Sequence, residues 1–155
     1  MTHANTSAVV CRNVGRAFGT NGTSRQILTN IDLEIASGEI ISIIGASGSG
    51  KSTLLRALGG LDVGFTGKVL IDATAVESYD PRCAIGFQEP RLLPWATVTD
   101  NVAIGLAEGT PKTTATARVA ELLELVGLTD AADHRPREIS GGMAQRASLA
   151  RAMAR

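Results

Sequence analysis

The chain has no surplus of charge: fifteen Lys and Arg stand against fifteen Asp and Glu in 155 residues. A surface that coats nucleic acid needs extra cations to neutralise phosphates, so that class is disfavoured. Cysteine is scarce. Cys11 and Cys83 lie far apart in apolar stretches, with no Cys-x-x-Cys pair and no histidine nearby, so there is no zinc pattern. Both read as small buried hydrophobes, which suits a reducing cytoplasm. Residues 1–8 are polar and lack the basic-then-apolar order of a secretion signal. No apolar run is long enough to cross a bilayer; the densest, residues 40–44, is broken by Ser42. Any membrane association is therefore expected to go through a partner. There is no internal repeat and no low-complexity tract. What remains is the composition of one ordinary globular domain, 44% hydrophobic and 19% charged.

Charge is less even locally. Residues 134–155 carry five Arg and one Glu, which reads as a solvated helix face with a few phosphate or partner contacts. Residues 8–18 read as a strand running into a loop, and residues 19–24 as a turn with Asn21-Gly22 its strongest signal. Residues 27–35 alternate apolar and polar, with Leu28, Ile31, Leu33 and Ile35 on one side, as in a half-exposed antiparallel strand. Residues 40–44 are nearly continuous and β-branched, as expected of a strand buried on both faces. A helix with Leu54, Leu55 and Leu58 on one face follows, ended by Gly59-Gly60. Residues 68–72 and 83–87 read as two further short strands. From Thr97 onward the chain looks helical. A short helix spans 99–106, and a clearer one spans 114–126, with Val119, Leu122, Leu123 and Val126 in a stripe and Gly127 as the stop. Ser140 caps a last helix with Met143, Ala147, Ala150 and Ala154 on one face.

Gly45-Ala46-Ser47-Gly48-Ser49-Gly50-Lys51-Ser52 fits G-x-x-x-x-G-K-[ST] at every fixed position. Glycines let the backbone turn tightly and aim successive N–H groups inward as an anion nest. The helix that follows points its positive end at the same place. Lys51 supplies a full charge to β- and γ-phosphates, the Ser52 hydroxyl can ligate Mg²⁺, and Thr53 can donate a further hydrogen bond. A chance glycine-rich turn is the rival reading. It is weakened here by the strand-like run before the loop and the helical pattern after it.

Other motifs narrow the choice among phosphate-loop proteins. Ile139-Ser140-Gly141-Gly142-Met143-Ala144-Gln145-Arg146, followed by Leu149-Ala150-Arg151-Ala152, resembles the signature motif of ATP-binding cassette (ABC) ATPases. A Ser cap followed by two glycines makes a second helix start fit for an anion. The resemblance implies that Ser140, Gly141 and Gly142 cap the γ-phosphate of ATP held by an opposite subunit. Phe18 lies where that family keeps an aromatic that stacks on adenine, though a plain core phenylalanine at a strand end fits the position equally well. Gln88, in Gly86-Phe87-Gln88-Glu89-Pro90, matches the glutamine that reaches Mg²⁺ and the attacking water, in a loop that touches the membrane partner. The stretch from Phe87 to Trp95, with Met143 where many relatives have Gln, looks like the sulfonate, nitrate and taurine branch of bacterial importers. Leu92 and Trp95 fit a packing role as well as contact with a permease.

The resemblance runs from about Val9 to Arg155. It implies an α/β phosphate-loop NTPase fold of the ABC type, incomplete: an antiparallel β subdomain, a partial RecA-like core and a helical subdomain. The 155 residues read as a single truncated ABC ATP-binding domain, with residues 8–90 the β subdomain and nucleotide core and residues 91–155 the helical part. The expected function is ATP binding and hydrolysis coupled to uptake of sulfonate-, nitrate- or taurine-like anions, at the cytoplasmic face of the plasma membrane. The implied cofactors are ATP and Mg²⁺. The implied partners are a second ATP-binding subunit in a head-to-tail dimer, a transmembrane permease contacted through residues 88–95, and, indirectly, an extracytoplasmic solute-binding protein. The family's Mg²⁺-holding Asp, catalytic Glu and switch His follow the signature helix and are not among these residues. His3 and His134 do not match that His, so the chain alone is expected to be inactive or nearly so. Alternatives are a non-catalytic nucleotide-binding regulatory fragment, or a soluble ABC-type ATPase acting on nucleic acid or ribosomes.

Overall fold

A computed structural model describes residues 7–20 and 23–155, so the Asn21-Gly22 turn lies outside the described residues. The chain divides into two compact units, residues 1–83 and 84–155.

The first unit is built on a hairpin. Strand β1 (Ser7–Thr20) pairs antiparallel with β2 (Thr23–Ala36), in a register that sets Cys11 opposite Leu33, Val14 opposite Ile31 and Arg16 opposite Leu28. The other edge of β1 pairs antiparallel with β3 (Thr66–Ile71), which pairs with the two-residue β4 (Thr74–Ala75), giving the order β2-β1-β3-β4. Alternation puts Cys11, Val69 and Ile71 in one buried cluster, an irregularity in β1 between Cys11 and Val14 brings Val14 into it, and Val76, just beyond β4, joins them, with Ile31, Leu33, Leu58 and Phe65 packed against them. Burial raises the Cys11 thiol pKa, and the charge of Asp32 adds to the shift. Cys83 is only half-buried, so it is a rim residue rather than the core hydrophobe expected.

Helix α1 (Lys51–Leu58) follows the glycine loop and ends at Gly59, whose N–H donates to Leu55 O. It buries Leu54 and Ala57. Two expected strands do not form. Residues 40–44 join no ladder, and Ile40 and Ile44 are 94% and 93% exposed. A β-branched apolar run favours extended backbone, but a strand exists only where neighbouring strands satisfy its N–H and C=O groups, and among the described residues none does so. Residues 83–87 are irregular too. The Asp80 carboxylate accepts from the backbone N and Nε of Arg82, and Cys83 N donates to Asp80 O, closing a turn where that strand would begin.

The second unit holds α2 (Val98–Ala103), α3 (Lys112–Leu125) and α4 (Gly141–Met153), with 3-10 turns at Thr129–Ala131 and Pro136–Glu138. The starts of α2 and α4 are explicable from sequence. Thr97 and Asp100 form a reciprocal capping box on α2, and Ser140 Oγ accepts from Met143 N on α4. The apolar stripes converge in one core of Val98, Val102, Val119, Leu122, Leu123, Leu128, Ala147 and Ala150. The arginines of residues 134–155 do more than solvate a face. Arg146 donates to Val126 O and Gly127 O at the end of α3, and Arg151 donates to Pro90 O and Arg91 O. No helix is long and apolar enough to cross a membrane among the described residues.

Candidate functional site

The loop at residues 45–50 turns on two glycines with left-handed backbone, Gly48 at φ +78° and Gly50 at φ +96°. Gly50 must also be small. A Cβ there would meet Leu28 Cδ2 at 2.9 Å and Ile27 O at 3.1 Å, so the loop is seated directly on β2. Gly50 is the residue from which α1 springs, and no side chain caps that end. The first turn contains no acidic residue, so its positive end and free N–H groups are uncompensated. Lys51 Nζ folds back over the loop and donates to Gly45 O at 2.8 Å, Ala46 O at 2.7 Å and Ser49 Oγ at 3.4 Å. Ser47, Ser49 and Ser52 are exposed, and Thr53 is half-buried. A loop turned by left-handed glycines, a helix N-terminus and a lysine ammonium therefore meet at one exposed place. That donor set suits a polyphosphate.

Among the described residues no cluster of His, Cys, Asp and Glu could hold a metal by itself. The donor chemistry fits Mg²⁺ of the kind that keeps several waters and binds through one or two protein oxygens together with substrate phosphates. The exposed Ser52 hydroxyl at the start of α1 is an oxygen of that kind.

Phe18 is 44% exposed near the end of β1, so it is no core residue. Its ring carries the Arg16 guanidinium 4.1 Å from the centroid. Arg16 Nε donates to Asp62 Oδ2 at 2.9 Å, and this hydrogen bond is the main reason the Asp62 carboxyl sits below its ordinary pKa. Neither Arg16 nor Asp62 was marked by sequence reasoning. Arg16 had a signal, since it precedes Phe18 by two residues and so shares its face of a strand. Asp62 had none.

The other expected site residues lie in the helical unit. Gln88 is exposed, and its backbone carbonyl accepts a hydrogen bond from Gln145 Nε2. The loop beyond it is pinned by Asn101, a fully buried residue that sequence reading passed over. Its Oδ1 accepts from Leu93 N at 2.7 Å, and its Nδ2 donates to Leu93 O, Ala96 O and Thr97 O. Trp95 is left 71% exposed on that pinned loop. Arg91 stacks on Phe87 at 4.8 Å. Ser140 takes extended backbone as the cap of α4, and Gly141 and Gly142 are exposed with open space where a Cβ would stand. The structure thus gathers residues 45–53 and Phe18 in the first unit, and Gln88 and Ser140–Gly142 in the second.

A loop of this shape at a helix start is shared by several protein classes, but the comparison with known proteins decides among them. Residues 28–155 match the family model described as ABC transporter. The chain belongs to that family. It is 50% identical over 143 residues to the aliphatic sulfonates import ATP-binding protein SsuB 1 of Xanthomonas axonopodis pv. citri, a match covering 91% of this chain and 55% of that one. It is 47% identical over 154 residues to SsuB 3 of Nocardia farcinica, covering 99% of this chain and 56% of the other. The chain spans about half the length of these curated relatives. Among solved structures it resembles the ATP-binding cassette MJ0796, described as a dimer in a post-hydrolysis state bound to ADP and Pi. The TM-score is 0.81 and the identity 35%, over 94% of this chain and 69% of that one. The ABC-type fold is therefore common to both, with the antiparallel sheet and the helices as the parts formed in this chain.

Proposed function

We propose that residues 45–53 bind the phosphates of ATP and that the chain is the ATP-binding part of an importer for sulfonate-like anions. The observation that carries the first statement is the convergence of Lys51, the uncompensated start of α1 and the left-handed glycines on one exposed loop. On binding, the Lys51 ammonium exchanges the carbonyls of Gly45 and Ala46 for β- and γ-phosphate oxygens, and the loop amides turn from water to the anion. Phe18 offers its exposed face to the adenine ring. Bound Mg²⁺ would neutralise phosphate charge, with the Ser52 hydroxyl as a protein oxygen for it.

The substrate class rests on the names of the sulfonate-import relatives together with residues 87–95, where a pinned loop presents Trp95 outward in the manner of a contact for a permease. The same reading gives a peripheral protein at the cytoplasmic membrane face, served indirectly by a solute-binding protein. It also gives a head-to-tail pair of subunits in which Ser140, Gly141 and Gly142 of one face the γ-phosphate on the other. By itself this stretch of 155 residues is proposed to hold nucleotide without family-rate turnover, since phosphoryl transfer depends on groups that position the attacking water.

Calorimetric titration of the chain with Mg-ATP tests the reading. Lys51→Ala is expected to weaken binding about tenfold or more, the size of a lost charge-assisted hydrogen-bond set. Unchanged affinity in that variant would refute the site. Co-purification with a permease rather than with nucleic acid tests the importer assignment.

A further inference from the structure

We propose that Arg16 is a positioning residue for the base-stacking platform, fixing the Phe18 ring from behind while its other face stays open to adenine. The inference rests on the reading of Phe18 as the base contact and adds to it a residue and a mechanism.

Arg16 lies on the protein side of the pair. Its side chain is 21% exposed and that of its partner Asp62 15%, while Phe18 is 44% exposed. Four contacts hold the guanidinium. Nε donates to Asp62 Oδ2, Nη1 donates to Ala17 O at 3.0 Å, the plane covers the Phe18 ring, and Gly64 closes on it. A Cβ at Gly64 would come within 2.9 Å of the guanidinium carbon, so a side chain there would push Arg16 off its seat. Asp62 is itself fixed, because its Oδ1 accepts from Gly64 N and its backbone N donates to Arg56 O in the last turn of α1.

The consequence is a rigid connection between the two ends of the nucleotide site. Helix α1 starts at Gly50, which sits on Ile27 and Leu28 of β2, and Leu28 pairs with Arg16. The helix ends at the turn that carries Asp62, which grips the same Arg16. Phosphate loop and ring are therefore referred to one helix. An exposed aromatic free to change rotamer would lose side-chain entropy on stacking, whereas one backed by a fixed cation has already lost it. The guanidinium also draws the ring by a cation–π attraction worth several-fold in an equilibrium constant.

The test compares Mg-ATP with magnesium tripolyphosphate, which has the phosphates and no base, by calorimetry on the full chain. Phe18→Ala is expected to weaken ATP binding about tenfold and Arg16→Met about threefold, with tripolyphosphate affinity held in both. Asp62→Asn, which keeps the cation but loosens its grip, is expected to lie between Arg16→Met and the parent, and it decides the matter if Arg16→Met does not fold. Loss of ATP affinity in Phe18→Ala with none in Arg16→Met and Asp62→Asn would overturn the role of Arg16. Equal weakening of ATP and tripolyphosphate by Arg16→Met would overturn it too, as a general structural effect. ATP affinity unchanged by Phe18→Ala would instead sink the base-stacking reading itself.

Discussion

Helices α1 and α4 begin alike and are equipped differently. Both start beside glycines, and neither has an acidic residue in its first turn. At α1 the loop curves through left-handed Gly48 and Gly50, and Lys51 lies over it. At α4 the cap is Ser140, whose hydroxyl is turned inward to Met143 N, and the nearest cation in the helix, Arg146, reaches away to the carbonyls of Val126 and Gly127. One helix start brings a nest, a dipole and a full charge together. The other brings a dipole and amides alone. An anion held in water needs more than a dipole, so the first is a site in its own right and the second is half of one, useful only where another surface delivers the phosphate.

Substitutions can break that contrast. The largest effect is expected from Lys51→Ala, which removes about 1.5–3 kcal/mol of ATP binding, measured by titration, and leaves α1 with its glycine loop and dipole but without the charge. Gly50→Ala comes next. It forces a left-handed Ala against Leu28 and Ile27, and unfolding in urea is expected to show a loss of about 1–3 kcal/mol in the first unit. Ser140→Ala removes the α4 cap and is expected to cost about 1 kcal/mol of stability, with ATP affinity of the single chain unchanged.

A smaller effect sharpens the comparison between the units by acid titration. Each unit has a carboxylate held below its ordinary pKa: Asp80 at about 2, chiefly by its hydrogen bond from Arg82, and Glu138, chiefly by the backbone N–H of Arg135. A depressed folded pKa gives stability that is complete above the unfolded value and lost as pH falls through the folded one. The first unit is therefore expected to lose stability between about pH 4 and pH 2. Asp80→Asn should reduce that slope in a denaturation series across this range, leaving the share that Asp62 contributes, while Glu138→Gln should leave it in place.

How much was legible in the sequence follows from the range of the interactions concerned. The phosphate loop is a contiguous motif, and its glycines and lysine act on their own backbone. Helices α3 and α4 were legible because a 3.6-residue stripe and a Ser cap are local signals too; Val119, Leu122 and Leu123 are buried as the stripe implies. Residues 40–44 and 83–87 were misread because a strand is settled by its neighbours rather than by its own residues, and Ile40 and Ile44 stand in the open despite the strongest β-branched run in the chain. Asn101 and Asp62 escaped notice for the same reason. A lone polar residue shows nothing in sequence of the backbone or arginine it will meet across a fold.

Amide hydrogen exchange of the chain with and without saturating Mg-ATP tests the central claim most directly. The account predicts slowed exchange at residues 45–53, where loop amides turn from water to phosphate, and no change at residues 140–144 in the single chain. Slowed exchange at 140–144 with none at 45–53 would contradict it.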